Sequence, residues 1–222
     1  MLTGVPEALP AASAIVLRDD PMELLMLQRH AKSSFMPNAW VFPGGMVEES
    51  DVTLARELAD GSTLAAMRVA AVRETFEESG VWLGAPLDDA EERRRLLLAG
   101  EVPFRDLLAA APVDFEQLVW TSRWITPVGV PKRFDTYFFL VRVPRDTVAT
   151  AEQNEAVDVT WIHPAAALRK HAERTMQLVF PTLRNLEALA GFDTAEALID
   201  SRRGAVIEPV MPILVDGKPR LP

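Results

Sequence analysis

Cysteine is absent from the chain, which excludes disulfides and thiolate metal sites and makes a reducing, cytoplasmic location the simplest expectation. Only three histidines occur, and their spacings do not match those of zinc ligands. No apolar run reaches the ~18 residues that a membrane-spanning helix needs, and no basic, apolar leader opens the chain. The sequence therefore predicts neither an exported nor a membrane-spanning protein.

Positive charge is scarce relative to negative charge. The 222 residues include 23 Lys and Arg against 32 Asp and Glu, which gives a formal net charge of −9 at pH 7. Phosphate contacts across a broad surface require clustered Lys and Arg, so nucleic acid is not an expected partner. The 49% hydrophobic and 25% charged composition is typical of a globular protein, and we expect one domain over residues 1–222.

Three acidic residues crowd one turn of a predicted helix. Residues 73–81 read Arg-Glu-Thr-Phe-Glu-Glu-Ser-Gly-Val, with Glu74, Glu77 and Glu78 at positions i, i+3 and i+4. At 3.6 residues per turn their carboxylates share one side of the helix, where each like-charge pair is destabilising by roughly 0.2–0.5 kcal/mol. One interpretation is a site for Mg²⁺ or Mn²⁺, which prefer hard oxygen ligands. The other is a solvated acidic face.

Glycines flank this helix on both sides. Upstream, Trp40-Val-Phe-Pro-Gly44-Gly45 is typical of a short apolar strand that runs into a turn, and the two glycines permit an approach that a Cβ would forbid. The apolar spacing predicts a long helix over residues 63–79. Gly80 is placed to end it in a left-handed conformation.

Together these segments resemble the Nudix box, a glycine followed later by Arg-Glu-hydrophobic-x-Glu-Glu-x-Gly-hydrophobic. The matching positions are Gly45, Arg73, Glu74, Glu77, Glu78, Gly80 and Val81. The resemblance implies a Nudix fold of the α/β (α+β) class, with a mixed β-sheet sandwiched between helices. It also implies metal-dependent hydrolysis of a diphosphate bond in a small-molecule substrate, with Mg²⁺ or Mn²⁺ held by Glu74, Glu77 and Glu78.

The box departs from the family pattern in its spacing. The family usually has a Glu six residues after the glycine and the Arg fourteen residues after it. Here Asp51 stands six residues after Gly45, and Arg73 lies 28 residues after it. The box, residues 45–81, therefore carries an insertion near 51–62, and which acid replaces the first Glu is open.

Three further stretches resemble the Nudix branch whose box is split by an insertion, a branch that includes peroxisomal coenzyme A diphosphatases of animals. They are Leu24 to the paired glycines, Trp124-Ile-Thr-Pro followed by Lys132-Arg-Phe-Asp-Thr-Tyr-Phe-Phe, and Phe180-Pro-Thr-Leu. The resemblance implies coenzyme A or an acyl-coenzyme A as substrate. ADP-ribose, nucleotide sugars and dinucleotide polyphosphates are alternatives, as is a nucleotide-binding module without turnover.

The family pattern also suggests roles outside the acidic triplet. Arg73 is expected to hold a box glutamate by an ion pair, and Glu155, preferred over Glu152 in an acidic loop, to act as general base. The expected substrate-binding residues are Arg29, Gly44, Gly45, Trp124, Lys132 and Arg133. For Trp124 a place in the core is the alternative, and for the three cations a place at strand ends in solvent.

The remaining patterns predict the surrounding elements. We expect strands over residues 11–17, 24–28, 120–127 and 132–141, a strand ending at Ile162, and helices over residues 52–59, 165–173 and 181–190. A helical insertion near 88–111 contains Arg93-Arg94-Arg95, for which a solvated helix face is the default interpretation. The C-terminal extension, residues 191–222, contains two short runs, Val206 to Val210 and Ile213 to Val215, followed by Asp216-Gly217. It is expected to add a hairpin or to cover a partner subunit in a possible homodimer.

Overall fold

The computed structural model describes residues 6–33 and 36–221. Within these ranges, one large sheet contains β1 (Ala8–Arg18), β2 (Glu23–Arg29), β3 (Trp40–Val41), β4 (Gly44–Met46), β5 (Val119–Ile125), β6 (Arg133–Arg142), β7 (Ala156–Ile162) and β8 (Pro209–Val210). A separate hairpin is formed by β9 (Ile213–Val215) and β10 (Lys218–Arg220). The α-helices are α1 (Glu49–Leu58), α2 (Thr63–Ser79), α3 (Ala90–Leu98), α4 (Phe104–Ala110), α5 (Pro164–Ala172), α6 (Phe180–Leu189) and α7 (Ala195–Arg202).

Strand β1 organises the large sheet. It pairs in parallel with β6, from Ala8 opposite Arg133 to Leu17 opposite Arg142, and antiparallel with β2 and β4. Its apolar residues are buried continuously from Ile15 to Leu17, as expected of a strand covered on both faces. The sheet is therefore mixed, with the parallel pair at its centre.

Helices cover both faces of this sheet. One apolar core joins alternate β1 residues to helices α1, α2 and α4, and the other joins the intervening β1 residues to α5, α6 and α7. The alternation follows from the two-residue period of a strand, which sends successive side chains to opposite faces. The predicted fold class, a mixed sheet sandwiched between helices, is confirmed.

Helix α2 has the bounds that the sequence predicts. Its N-cap Ser62 accepts a hydrogen bond from the backbone N–H of Ala65, and Gly80 ends it with φ of 69°. Most of its side chains are buried, including Phe76 and Glu78, because it packs between α1 and strands β1 and β4. The acidic turn of this helix is therefore shielded from solvent, with Glu78 buried and Glu74 and Glu77 partly buried.

The segment around the two glycines differs from expectation. Gly44 and Gly45 lie inside a strand, β4, opposite Ser13 and Ala12 of β1, rather than in a turn. The backbone pairing with β1 stabilises an extended conformation that local sequence does not reveal.

The C-terminal extension contains more structure than predicted. Helix α7 was not expected; Thr194 caps it, and Leu198 and Ile199 are buried in the core. The two predicted runs form β8, which pairs in parallel with β5, and β9 of the hairpin. Within the described ranges, no helix has the length and apolar character needed to span a bilayer.

Candidate active site

A cleft of about 620 Å³ collects most of the predicted site residues. Strands β1, β4, β5 and β6, helices α2 and α6, and the C-terminal hairpin all contribute to its walls. The predicted residues that line it are Arg29, Gly44, Gly45, Glu74, Glu78, Trp124, Lys132 and Glu155. Arg73 and Glu77 lie behind this lining, and Arg133 is placed elsewhere.

The two glycines of β4 let helix α2 approach the sheet closely. The backbone N–H of Gly44 donates to Glu78 Oε2 at 2.8 Å. A Cβ built on Gly45 would lie 2.4 Å from Glu74 Oε1, and one on Gly44 would lie 2.4 Å from the carbonyl oxygen of Ala12. Neither position has room for a side chain without displacing a neighbour.

Arg73 is buried and gathers three acids around one guanidinium group. Its Nε and Nη2 donate to Asp51 Oδ1 and Oδ2 at 3.0 and 2.9 Å. Its Nη1 lies 2.9 Å from Glu77 Oε2 and 3.0 Å from Glu74 Oε1, and Nη2 also donates to the carbonyl of Met46. The two-point contact with Asp51 uses the planar fork of the guanidinium.

Asp51 is fully buried and is the acid that Arg73 binds at two points. Its Oδ2 also accepts a hydrogen bond from the backbone N–H of Glu48, the N-cap residue of α1. Helix α1 therefore begins at residue 49, three residues earlier than expected. Asp51 stands six residues after Gly45, where the family usually has a Glu, and the structure adds that this acid is paired with Arg73.

The carboxyl group of Glu78 is buried, and that of Glu74 is partly buried and shares Arg73 with Asp51 and Glu77. Burial, opposed by Arg73 and reinforced by the charges of Glu77 and Glu155, raises the pKa of Glu74 to about 7. Burial also raises the pKa of Glu78 well above its usual range; Glu74 and Glu155 add to this effect, and the Gly44 N–H opposes it. A bound cation would favour the ionised form of both groups.

Glu155 lies at the end of a loop that docks on the C-terminus of α2. Its carboxyl group lines the cleft and is close enough to Glu78 to help raise the pKa of that residue. The carboxylate of Glu152 accepts hydrogen bonds from Asn154 and from the backbone N–H of Glu155, within the loop itself. Of the two acids considered from sequence, Glu155 is therefore the one that faces the acidic helix.

The donor chemistry of this cluster fits Mg²⁺ or Mn²⁺. Over residues 6–33 and 36–221, no three Asp, Glu, His or Cys side chains converge tightly enough to form a ready-made ion site. However, Mg²⁺ is usually bound by one or two carboxylates and keeps water or substrate oxygens as its other ligands. Glu74 and Glu78 line the cleft and could supply such carboxylates, whereas Glu77 does not line it; Glu74 and Glu77 both contact Nη1 of Arg73.

The predicted substrate-binding residues separate into two groups. Lys132 and Trp124 line the cleft, and Trp124 packs edge to face on Phe180 with 5.9 Å between the ring centroids. Arg133 does not line it. Its guanidinium is buried and donates to the carbonyls of Thr126 and Pro6. Arg133 therefore does not face the cleft, where the predicted phosphate contact would lie.

Sequence reasoning missed one wall of the cleft. Residues Pro212, Leu214, Gly217 and Pro219 of the C-terminal hairpin line it. The Asp216-Gly217 pair signalled a hairpin, but no local pattern indicates that this hairpin reaches the cleft.

The sheet, the glycine strand and the acidic helix together define a Nudix fold. A crystal structure of a NUDIX hydrolase from Alicyclobacillus acidocaldarius matches with a TM-score of 0.78 at 26% identity, covering 87% of this chain and 96% of that chain. The family model of the NUDT19 Nudix domain matches residues 55–189. The chain belongs to this NUDT19 Nudix family, whose members are Nudix hydrolases.

Curated relatives agree with this assignment. Putative nudix hydrolase 7 of Caenorhabditis elegans is 34% identical over 161 residues, which are 69% of this chain and 51% of that protein. Acyl-coenzyme A diphosphatase NUDT19 of Xenopus laevis is 28% identical over 228 residues, covering 77% of this chain and 60% of that protein. The chain thus spans a little over half the length of these relatives, and the resemblance to the split-box branch is confirmed.

Asp51→Asn should destabilise the protein, because it removes the main counter-charge of a buried guanidinium. We expect the free energy of unfolding to fall by about 3 kcal/mol, the lower end for breaking a buried ion pair, since Glu74 and Glu77 still face Arg73. Urea denaturation measures the change. The matched control is Glu57→Gln, which breaks a surface pair with Arg105 and should cost less than about 1 kcal/mol. Equal losses in the two variants would contradict the account.

Gly45→Ala and Gly44→Ala should fail in different ways. A methyl group at 45 meets the flexible end of Glu74, whereas one at 44 meets the backbone of Ala12 and Ser13. We expect Gly45→Ala to weaken Mn²⁺ binding, measured by electron paramagnetic resonance, by about 10-fold or more with little loss of thermal stability. Gly44→Ala should lower the unfolding temperature more. Unchanged Mn²⁺ affinity in the Gly45 variant would count against a role for Glu74 in ion binding.

Proposed function

We propose that the chain is a metal-dependent diphosphatase that acts on coenzyme A or acyl-coenzyme A. The observation that carries this proposal is that the partly buried Glu74 and the buried Glu78 line, together with Glu155, a cleft large enough for a nucleotide derivative. Relatives named acyl-coenzyme A diphosphatase support the choice of substrate.

The three acids of α2 have different roles in the proposed ion site. Glu74 and Glu78 would bind Mg²⁺ or Mn²⁺ in the cleft, and Glu77 shares the Nη1 of Arg73 with Glu74. A bound divalent ion neutralises diphosphate oxygens and lowers the pKa of a water ligand. Arg73 keeps Glu74 in place because its guanidinium is itself fixed by Asp51 at two points.

Glu155 is the proposed general base. It lines the cleft next to Glu78, where it can accept a proton from a water that attacks phosphorus. The products are two phosphorylated fragments.

The rest of the cleft suits a long, partly apolar substrate. Lys132 and Arg29 place cationic side chains along its wall for phosphate groups. The buried indole Nε1 of Trp124 has no hydrogen-bond partner among the described residues, so a substrate acceptor can satisfy it. Phe134 and Leu214 supply apolar surface for a pantetheine or acyl arm.

A binding module without turnover is the rival class, and the acids argue against it. A sensor has no need for three clustered carboxylates that repel one another, together with a buried arginine to hold them. All four box residues are present. Arg73 forms ion pairs with Glu74 and Glu77, and the charge of Glu74 acts on Glu78.

Glu78→Gln should abolish most of the activity without unfolding the protein. We expect kcat for acyl-coenzyme A with Mg²⁺ to fall by more than about 100-fold, beyond the range typical of losing an outer partner of a metal ligand. Circular dichroism and the unfolding temperature check the fold. The control Glu196→Gln changes an exposed acid on α7 and should leave kcat unchanged.

A panel of diphosphates tests the substrate in the same assay. Coenzyme A, acyl-coenzyme A, ADP-ribose, a nucleotide sugar and a dinucleotide polyphosphate are incubated with Mg²⁺ or Mn²⁺, and mass spectrometry identifies the products. The proposal predicts the highest kcat/KM for the coenzyme A compounds. Full activity of the Glu78 variant would remove that residue from the mechanism, and no turnover of any compound would overturn the enzymatic assignment.

A further inference from the structure

The C-terminus of helix α2 is completed by other parts of the chain. An α-helix leaves its last four carbonyl groups without intrahelical partners. Here the Phe76 carbonyl accepts from Gly80, the Ser79 carbonyl from the N–H of Thr150 at 2.9 Å, and the Glu78 carbonyl from the N–H of Glu152 at 3.0 Å. The fourth carbonyl, that of Glu77, accepts from a side chain on another helix.

That side chain is Arg94 of α3. Its Nε and Nη2 donate to the Glu77 carbonyl at 3.0 and 2.8 Å. Its Nη1 donates to the carbonyl oxygen and to Oγ1 of Thr150 at 3.1 and 2.9 Å. One guanidinium therefore joins the end of the acidic helix to the first residue of the docked loop.

The neighbouring arginines make no such link. The Nε of Arg93 donates to the carbonyl of Asp88, close to its own helix, and Arg95 pairs with Glu92 in solvent. The solvated face predicted for the three arginines holds for Arg95 but is wrong for Arg94, which is partly buried. The difference arises because Arg94 shares the face of α3 that carries Ala90 and Leu97, which pack against the core that includes α2.

The loop held by Arg94 carries the proposed general base. From Thr150 it runs through Glu152, whose backbone N–H donates to the Glu78 carbonyl, to Glu155, which lines the same cleft as Glu78. The separation between Glu155 and the acids of α2 therefore depends on how the loop is fixed to the helix end. A cation at this end is also favoured by the helix dipole.

We propose that Arg94 is a positioning residue that sets the placement of Glu155 relative to Glu78. The inference rests on the proposed function, since it assigns Arg94 to the same reaction. A lysine cannot replace it, because one ammonium group lacks the planar fork that reaches two segments at once. Positive charge alone is then insufficient, and geometry is what the residue supplies.

The test compares Arg94→Ala and Arg94→Lys with the control Arg95→Ala, using the full chain. We expect both Arg94 variants to lose about 10- to 100-fold in kcat, with KM changed by less than about 3-fold, because substrate-binding residues lie elsewhere. Mn²⁺ affinity, measured by electron paramagnetic resonance without substrate, should weaken in both, because Arg94 also holds the Glu77 carbonyl in the helical turn that carries Glu78. The Arg95 variant should match the wild type in all three quantities.

The Thr150→Val variant and the wild-type assay complete the comparison. If Arg94→Ala does not fold, Arg94→Lys and Thr150→Val, which loses one acceptor of Arg94, carry the same comparison. Wild-type kcat and Mn²⁺ affinity in a folded Arg94→Lys variant would overturn the inference while leaving the proposed function intact. If the wild type hydrolyses no diphosphate, the proposed function fails, and weaker Mn²⁺ binding in the Arg94 variants still supports the positioning role, whereas unchanged binding overturns it.

Discussion

The structure depends on one buried guanidinium, that of Arg73. It contacts Asp51 of α1, Glu74 and Glu77 of α2, and the carbonyl of Met46 in β4. A charge taken out of water is costly unless it is paired and hydrogen-bonded, so these contacts must form together. The three elements that build the site are thereby locked to one another, and a split box with a long insertion still converges on the same arginine.

Arg73 does not contact all of the clustered acids: it pairs with Asp51, Glu74 and Glu77 but not with Glu78. Arg73 brings one positive charge to the three acids Asp51, Glu74 and Glu77, while Glu78 has the Gly44 N–H as its backbone donor. The acids nearest the cleft are therefore left with excess negative charge, in a protein of net charge −9 whose proposed substrate is itself an anion. Divalent ions resolve both difficulties because they bind carboxylates and phosphate oxygens together.

Local sequence patterns predicted the parts of the fold that local interactions determine. The bounds of α2 were predicted from its apolar spacing and its terminal glycine, both within one segment, and the structure adds Ser62 as the N-cap. The box spacing drew attention to Asp51, but its ion pair with Arg73 was visible only in the structure. The roles of Arg94 and Arg133 could not be predicted, because their partners, the Thr150 carbonyl and the Pro6 carbonyl, are distant in sequence. The C-terminal hairpin reaches the cleft for the same kind of reason.

The most direct test of the central claim is anomalous diffraction from crystals soaked in Mn²⁺ with a non-hydrolysable diphosphate. The account predicts a peak within coordination distance of the carboxylates of both Glu74 and Glu78, with Arg73 still bonded to Asp51 and Glu77. Carboxylates splayed apart with no peak between them would contradict it.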